Sequence, residues 1–272
     1  MQANSIRSTA MFNSFRSNIQ NNMQTASQRL ASGRRINSAA DDAAGLGISQ
    51  ALEAQIRGLN QATRNALDFD SALNTADGGL GSISESLHRI RDLALQASNS
   101  ILTDANRASI QAEIDQHLDH ISRVTTDTQF NRMNLLDGSF NNMNMQVGPN
   151  AGQSINVSIQ GTSLAALGIA GFSVMGGPQN INIGAIDNAL NLVVSQRGSI
   201  GAMQNRIEHI VNQNNINAIN TAAANSRIAD ADIALEMMRL EQSRIIQQLQ
   251  TFSMRNQMER TRANLGFIGI AF

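Results

Sequence analysis

The sequence predicts a mainly α-helical protein: an elongated bundle of long, coiled-coil-like helices with a small β-hairpin region and with its N- and C-terminal helices paired. Three observations point there. Apolar residues recur every seven positions with a companion three residues later, the pattern of helices packed along a seam. Only two prolines occur in 272 residues, which leaves room for long uninterrupted helices. A single central stretch, Phe130 to Asn182, replaces the sevenfold period with turn residues and alternation.

The amino terminus carries a stripe of Phe12, Phe15, Ile19, Met23, Ala26 and Leu30 at spacings of three and four. Ser38-x-x-Asp41 reads as a capping box that opens the next helix. From Leu52 a seam runs through Leu59, Ala66, Leu73, Leu80, Leu87 and Ala94, with companions Ala62, Phe69, Ala76, Ile83, Ile90 and Ala97. A straight helix from Asp42 to Ser98 would be about 85 Å long. A compact globule of this chain length has a diameter of about 50 Å, so the expectation is a rod. Gly78, Gly79 and Gly81 interrupt the seam at about 1 kcal/mol each, and a bend is expected there.

Thr103-Asp104 is the capping position of a third helix with Ile110, Ile114, Leu118 and Ile121 on one face. Met143–Val147 and Ile155–Ile159, around Gly148-Pro149-Asn150-Ala151-Gly152, read as a β-hairpin. The heptad frame returns at Ile186, Val193, Ile200 and Ile207, and passes a polar interlude around Asn212 to Asn220 that includes the seam position Asn214. It runs on through Ile228, Leu235 and Leu249, with companions Ala189, Met203, Ile210, Met238, Ile245 and Phe252.

Residues 1–40 are expected to carry an N-terminal helix and 41–182 the long helices and hairpin. Residues 183–233 are expected to form a returning helix, and 234–272 a C-terminal helix. The expected packing set of the two terminal helices is Phe12, Phe15, Ile19, Leu30, Leu235, Met238, Ile245, Leu249 and Phe252. The expected rod seam is Leu52, Leu59, Leu73, Leu80, Leu87, Ile200 and Ile207. Both terminal helices are poor in charge and large anchors, so neighbouring copies of the chain are expected to complete their burial. The uncharged tail Leu265–Phe272 is expected to be buried as well.

Composition narrows the chemistry. Twenty basic residues, all arginine, face 21 acidic ones, so there is no basic excess for gripping a nucleic-acid backbone. Without cysteine there is no disulfide, thiolate metal site or thiol nucleophile. No 18-residue apolar run suits a membrane span, and Met1–Arg7 does not open a secretory signal. His117-x-x-His120 finds no third ligand at metal-site spacing and reads as a solvated pair. No catalytic, metal or cofactor constellation emerges, and an enzyme is not expected.

The string Arg29-Leu30-Ala31-Ser32-Gly33-Arg34-Arg35-Ile36-Asn37-Ser38-Ala39-Ala40-Asp41-Asp42-Ala43-Ala44-Gly45-Leu46-Gly47-Ile48-Ser49 resembles bacterial flagellin. Further matching stretches are Gln55–Leu59, Leu87–Ala97, Ile110–Ile114, Leu135–Gly138, Gln146–Gly148, Gly201–Arg206 and Ser226–Asp232. The resemblance implies a self-assembling subunit of the extracellular flagellar filament used for swimming. In that family the paired terminal helices line a narrow channel and the long helices form the surrounding wall. The helices of 1–40 and 234–272 are then expected to be inner helices, with a connecting spoke before residue 41. The resemblance implies export through the growing organelle by the flagellar type III route. It also implies an export chaperone, cap and hook-associated proteins as partners, and no cofactor. Ile159 to Ile183 leaves too little chain for the family's variable outer domains, so a minimal form is expected.

A vertebrate Toll-like receptor reads the long-helix face of flagellins. Arg89, Leu93 and Glu113 match that motif, and His88 stands where glutamine is usual. Arg132 stands where the family has glycine after Phe130-Asn131. The alternatives are a hook–filament junction protein, which shares the helical plan, and a secreted host-signalling protein.

Overall fold

A computed structural model describes the backbone of residues 2–267 and the side chains of 12–260 and Arg262. In chain order the elements are α1 (Gln2–Ser32), α2 (Ala43–Ala97), α3 (Asp104–Asp127), β1 (Gln129–Phe130), β2 (Met133–Asn134), β3 (Met143–Gln146) and β4 (Ser154–Val157). A short 3-10 turn (Pro178–Asn180), α4 (Ile183–Ala229) and α5 (Ile233–Phe267) follow. The chain divides into two compact units. Residues 1–54 and 220–272 make unit 1, and residues 55–219 make unit 2.

Unit 2 is built on the α2 seam. Leu73, Leu80, Ile83, Leu87 and Ile90 are at most 1% exposed and pack with Ile114 and Ile121 of α3 and Ile186 and Val193 of α4. Thr103 caps α3 by accepting the Asn106 N–H at 3.3 Å, as the sequence predicts. Arg107 enters the same core, 6% exposed. It donates from Nε to Ala97 O (3.2 Å) and from Nη2 to Asn99 O (3.1 Å), so it satisfies carbonyls left open where α2 stops.

Helix α2 is continuous through Gly78, Gly79 and Gly81. Gly79 is the glycine that packing demands: a Cβ there would stand 2.8 Å from both Leu136 Cδ1 and Thr128 Oγ1, while Gly78 and Gly81 face open space.

Strands β3 and β4 pair antiparallel, Met143 with Val157 and Gln146 with Ser154, and form the expected hairpin. A smaller one, β1–β2, turns at Asn131 (φ +49°) and Arg132 (φ +64°). The irregular chain after β4 is not merely a connector: Ile159, Leu167, Ile169, Phe172 and Val174 plug the core. The Gln111 side chain holds this segment, its Oε1 accepting the Val174 N–H at 2.8 Å and its Nε2 donating to Phe172 O at 3.3 Å. Asn214, the polar seam position, is 7% exposed and donates to Val147 O at 2.9 Å, which removes the cost of burying an amide.

One expectation needs correcting. Ser38-x-x-Asp41 does not cap α2. The Asp41 carboxylate accepts from the Ser38 N–H (2.9 Å), the Ser38 hydroxyl (3.0 Å) and the Asn37 N–H (3.1 Å), and closes a turn ahead of the helix. Asp42 is the cap, accepting the Gly45 N–H at 2.8 Å. The heptad frame from Ile186 to Phe252 is carried by two helices, α4 and α5. The helix breaks between Ala229 and Ile233, where Asp232 restarts it by accepting the Leu235 N–H at 3.1 Å. The side-chain period survives a short break that the backbone does not.

Candidate self-assembly surface

Unit 1 is held by a small set of polar ties. Helix α1 ends at Gly33, whose φ of +69° allows the chain to turn. There the Ala231 N–H donates to Gly33 O (2.9 Å) and the Arg35 N–H to Ala229 O (2.7 Å), which pairs the backbones of Arg34 and Asp230 in an isolated antiparallel β-bridge. Arg35 Nη2 also reaches Ile228 O at 2.6 Å, and the Ser49 hydroxyl donates to Asn225 Oδ1 at 2.7 Å. Glu236, with a side chain 5% exposed, accepts from Arg29 (3.3 Å) and Arg239 (2.9 Å). A carboxylate that dry needs both cations.

Apolar burial in this unit is slight. Among the described residues its buried apolar side chains are Ile19, Ala26, Ile36 and Ala229. Phe12 and Leu30 are half-buried. The rest of the expected inner set faces outward: Phe15 is 54% exposed, Leu235 39%, Met238 63%, Ile245 55%, Leu249 62% and Phe252 64%. Ile233, Met237 and Met258 join them. Helices α1 and α5 do pack on each other, but one contact line cannot cover both apolar stripes. Two clefts lie between them, of about 510 Å³ beside Arg29 and Glu236 and about 350 Å³ beside Arg16 and Arg255.

The remaining site residues divide cleanly. Leu59, Leu73, Leu80, Leu87, Ile200 and Ile207 are buried in unit 2, and Leu52 is half-buried in unit 1. Arg89 and Glu113 lie on the surface of unit 2, paired at 2.6 Å. Leu93 does not join them. It is 2% exposed because it shares the inward stripe with Ile90 and Ala97, so a partner reading this face meets the ion pair and not the leucine. The uncharged tail 265–272 lies outside the described side chains. Among the described residues no three His, Asp or Glu side chains gather to hold a metal, and no helix is long and apolar enough to cross a membrane.

A well-packed helical unit joined to a terminal helix pair with bare apolar stripes defines a class: helical subunits that finish their burial against other subunits. The chain belongs to the flagellin family. Residues 3–141 match the bacterial flagellin N-terminal helical region and residues 183–265 the C-terminal helical region. It is 40% identical over 232 residues to a flagellin of Halalkalibacterium halodurans, covering 84% of this chain and 85% of that one. It is 39% identical over 241 residues to the flagellar filament 31.3 kDa core protein of Treponema maltophilum, covering 82% and 84%.

The crystal structure of Bacillus cereus flagellin aligns with a TM-score of 0.51 at 28% identity, over 56% of this chain and 88% of that one. A putative flagellar hook-associated protein of Vibrio parahaemolyticus aligns at 0.59, but at 17% identity it shares the fold alone. The match stops at residue 141 and resumes at 183, so the compact form without an outer domain agrees with the short core-plugging segment between.

Proposed function

We infer that this chain is the structural subunit of a bacterial flagellar filament and polymerises through its paired terminal helices. One observation supports this most directly: the apolar stripe of α5, from Leu235 to Phe252, is exposed in the single chain. Burying apolar surface contributes about 25 cal/mol per Å², so the stripe drives association with any surface of matching shape. Residues 1–40 and 234–272 then form the inner layer of the filament, and the helices of 41–233 its wall. The terminal helices gain most of their order when a neighbour arrives, which makes folding of the ends and polymerisation one event. The role is mechanical and needs no enzyme site.

Family membership supports an extracellular location, export through the hollow organelle, and a chaperone, cap and hook-associated proteins as partners. Recognition by a Toll-like receptor, if it uses this face, rests on Arg89 and Glu113.

Seeded polymerisation followed by electron microscopy tests the reading. Wild-type protein should give regular hollow filaments. Leu249→Asp should give none and yet unfold like wild type, because a 62%-exposed side chain contributes little within one chain. Normal filaments from that variant would refute the assignment of α5 to the subunit contact.

A further inference from the structure

Charge is distributed unevenly along unit 1. Residues 1–20 and 243–272 hold six arginines and one acidic residue, Glu259. The remainder of the unit holds seven acidic residues and five arginines. The helix pair therefore has a basic far end and an acidic near end.

At the basic end lies the cleft of about 350 Å³ walled by Phe12, Arg16, Gln250, Met254, Arg255 and Met258. Neither arginine has an ion-pair or hydrogen-bond partner among the described residues, and both are exposed. Gln250 Nε2 is buried and donates to nothing. Among the described residues the other buried orphan donor is Arg29 Nε, which lines the second α1–α5 cleft. A buried orphan donor costs about 1–3 kcal/mol, so orphans gathered in one pair of clefts mark acceptors supplied from outside the chain.

The acidic end presents the matching chemistry. Asp230 and Asp232 are exposed, and the Asp230 carboxylate has no partner among the described residues. Directly after them Ile233, Leu235, Met237 and Met238 are 39–63% exposed. Asp232 and Arg255 stand about 35 Å apart along α5, too far to meet within one chain.

We propose that the Phe12–Arg16–Gln250–Arg255 cleft of one copy receives the Asp230–Met238 segment of a second copy. This deepens the self-assembly reading and rests on it. The arginines pair with Asp230 and Asp232, the apolar run fills the wall of Phe12, Met254 and Met258, and an acceptor on the incoming segment satisfies Gln250 Nε2. Because the two surfaces differ and lie apart, the contact is heterologous. Repeated without closing, it builds an open filament instead of a dimer.

Charge reversal tests it. Arg16→Glu/Arg255→Glu and Asp230→Arg/Asp232→Asn, the latter keeping a capping side chain on α5, should each lose polymerisation alone. Their equimolar mixture should recover filaments containing both chains, as mass spectrometry of the pelleted filaments would show. The neutral forms Arg16→Gln/Arg255→Gln and Asp230→Asn/Asp232→Asn, which preserve helix and cap, should each raise the critical concentration about tenfold. Mixing them should regain only about threefold, because half of the contacts in an alternating filament are then wild type.

Filaments from either reversed variant alone at the wild-type critical concentration would overturn the contact and leave self-assembly standing. So would a mixture that gives only closed dimers or monomers. Failure of wild type itself to polymerise would overturn the self-assembly reading instead.

Discussion

Gly78, Gly79 and Gly81 separate propensity from packing within four residues of α2. Replacing Gly78 or Gly81 with alanine adds a methyl that meets nothing within 4 Å. Each should stabilise unit 2 by about 0.5–1 kcal/mol, the helix-propensity difference. Gly79→Ala gains the same propensity but places Cβ 2.8 Å from Leu136 Cδ1, 2.8 Å from Thr128 Oγ1 and 3.1 Å from Thr128 Cγ2. Neither neighbour can retreat cheaply. Leu136 is 0% exposed, and the Thr128 hydroxyl donates to Val124 O at 2.6 Å. Overpacking of this kind costs about 1–3 kcal/mol, so the net effect should be a loss of about 1 kcal/mol or more.

Urea unfolding of monomers followed by far-UV circular dichroism reads the difference as a shift in midpoint at constant slope. Gly78→Ala and Gly81→Ala should move it up and Gly79→Ala down. A Gly79→Ala midpoint raised as far as the other two would refute the claim that α2 needs glycine there to approach Thr128, at the end of α3, and Leu136, beyond β2.

Other substitutions and conditions give equally directed outcomes. Arg107→Ala should cost about 2–3 kcal/mol in the same assay, because two charge-assisted bonds to carbonyls at the α2 terminus are lost together; a midpoint shift worth under 0.5 kcal/mol would contradict the assigned role. Arg132→Gly should stabilise by about 1 kcal/mol, since a left-handed conformation strains a side chain and a two-residue I′ turn favours Asn-Gly; destabilisation would contradict it. Bonds from the backbone and hydroxyl of Ser38, then the Asn37 N–H, hold the Asp41 carboxyl below its ordinary value of 3.8, and the Ser139 hydroxyl and N–H do the same for Asp137. With folded values depressed, the stabilisation from each is complete above pH of about 4 and fades as pH falls through the lower folded value. Carboxyl NMR titration showing either midpoint at or above 3.8 would sink this.

The long helices were legible because a buried seam must repeat every turn or two, and Leu73, Leu80 and Leu87 declare it directly. Arg107 was legible too and went unread: counting back from Ile110, Ile114 and Leu118 puts it on the buried face, where a charge requires partners. Other features leave no periodic trace. Residues 161–174 fill the core as irregular chain, so neither a period of two nor of 3.6 marks Leu167, Ile169 or Val174. The sevenfold frame resumes in phase after Asp230–Asp232, so it marks a shared face and not the residue at which the backbone breaks. Periodicity reports which residues share a face, and it is silent on what covers that face. Ile200 and Leu249 hold the same heptad position, yet one is 4% exposed and the other 62%.

That contrast separates the tasks of the two units. Unit 2 buries its seam on its own α3, α4 and hairpins, so its folding needs no second chain and its stability is intramolecular. Unit 1 has four buried apolar side chains among its described residues, and its ties are largely hydrogen bonds and ion pairs around Gly33, Ala229 and Glu236. Desolvation of the buried Glu236 carboxylate offsets much of what its pairs with Arg29 and Arg239 gain, which leaves too little to hold two helices of 31 and 35 residues in isolation. If assembly runs through the α5 stripe as proposed, each copy that adds exchanges exposed apolar surface for buried interface, and the energy that assembles the polymer is also the energy that orders α1 and α5. A substitution on the exposed stripe should therefore change the critical concentration while leaving the monomer's urea midpoint in place.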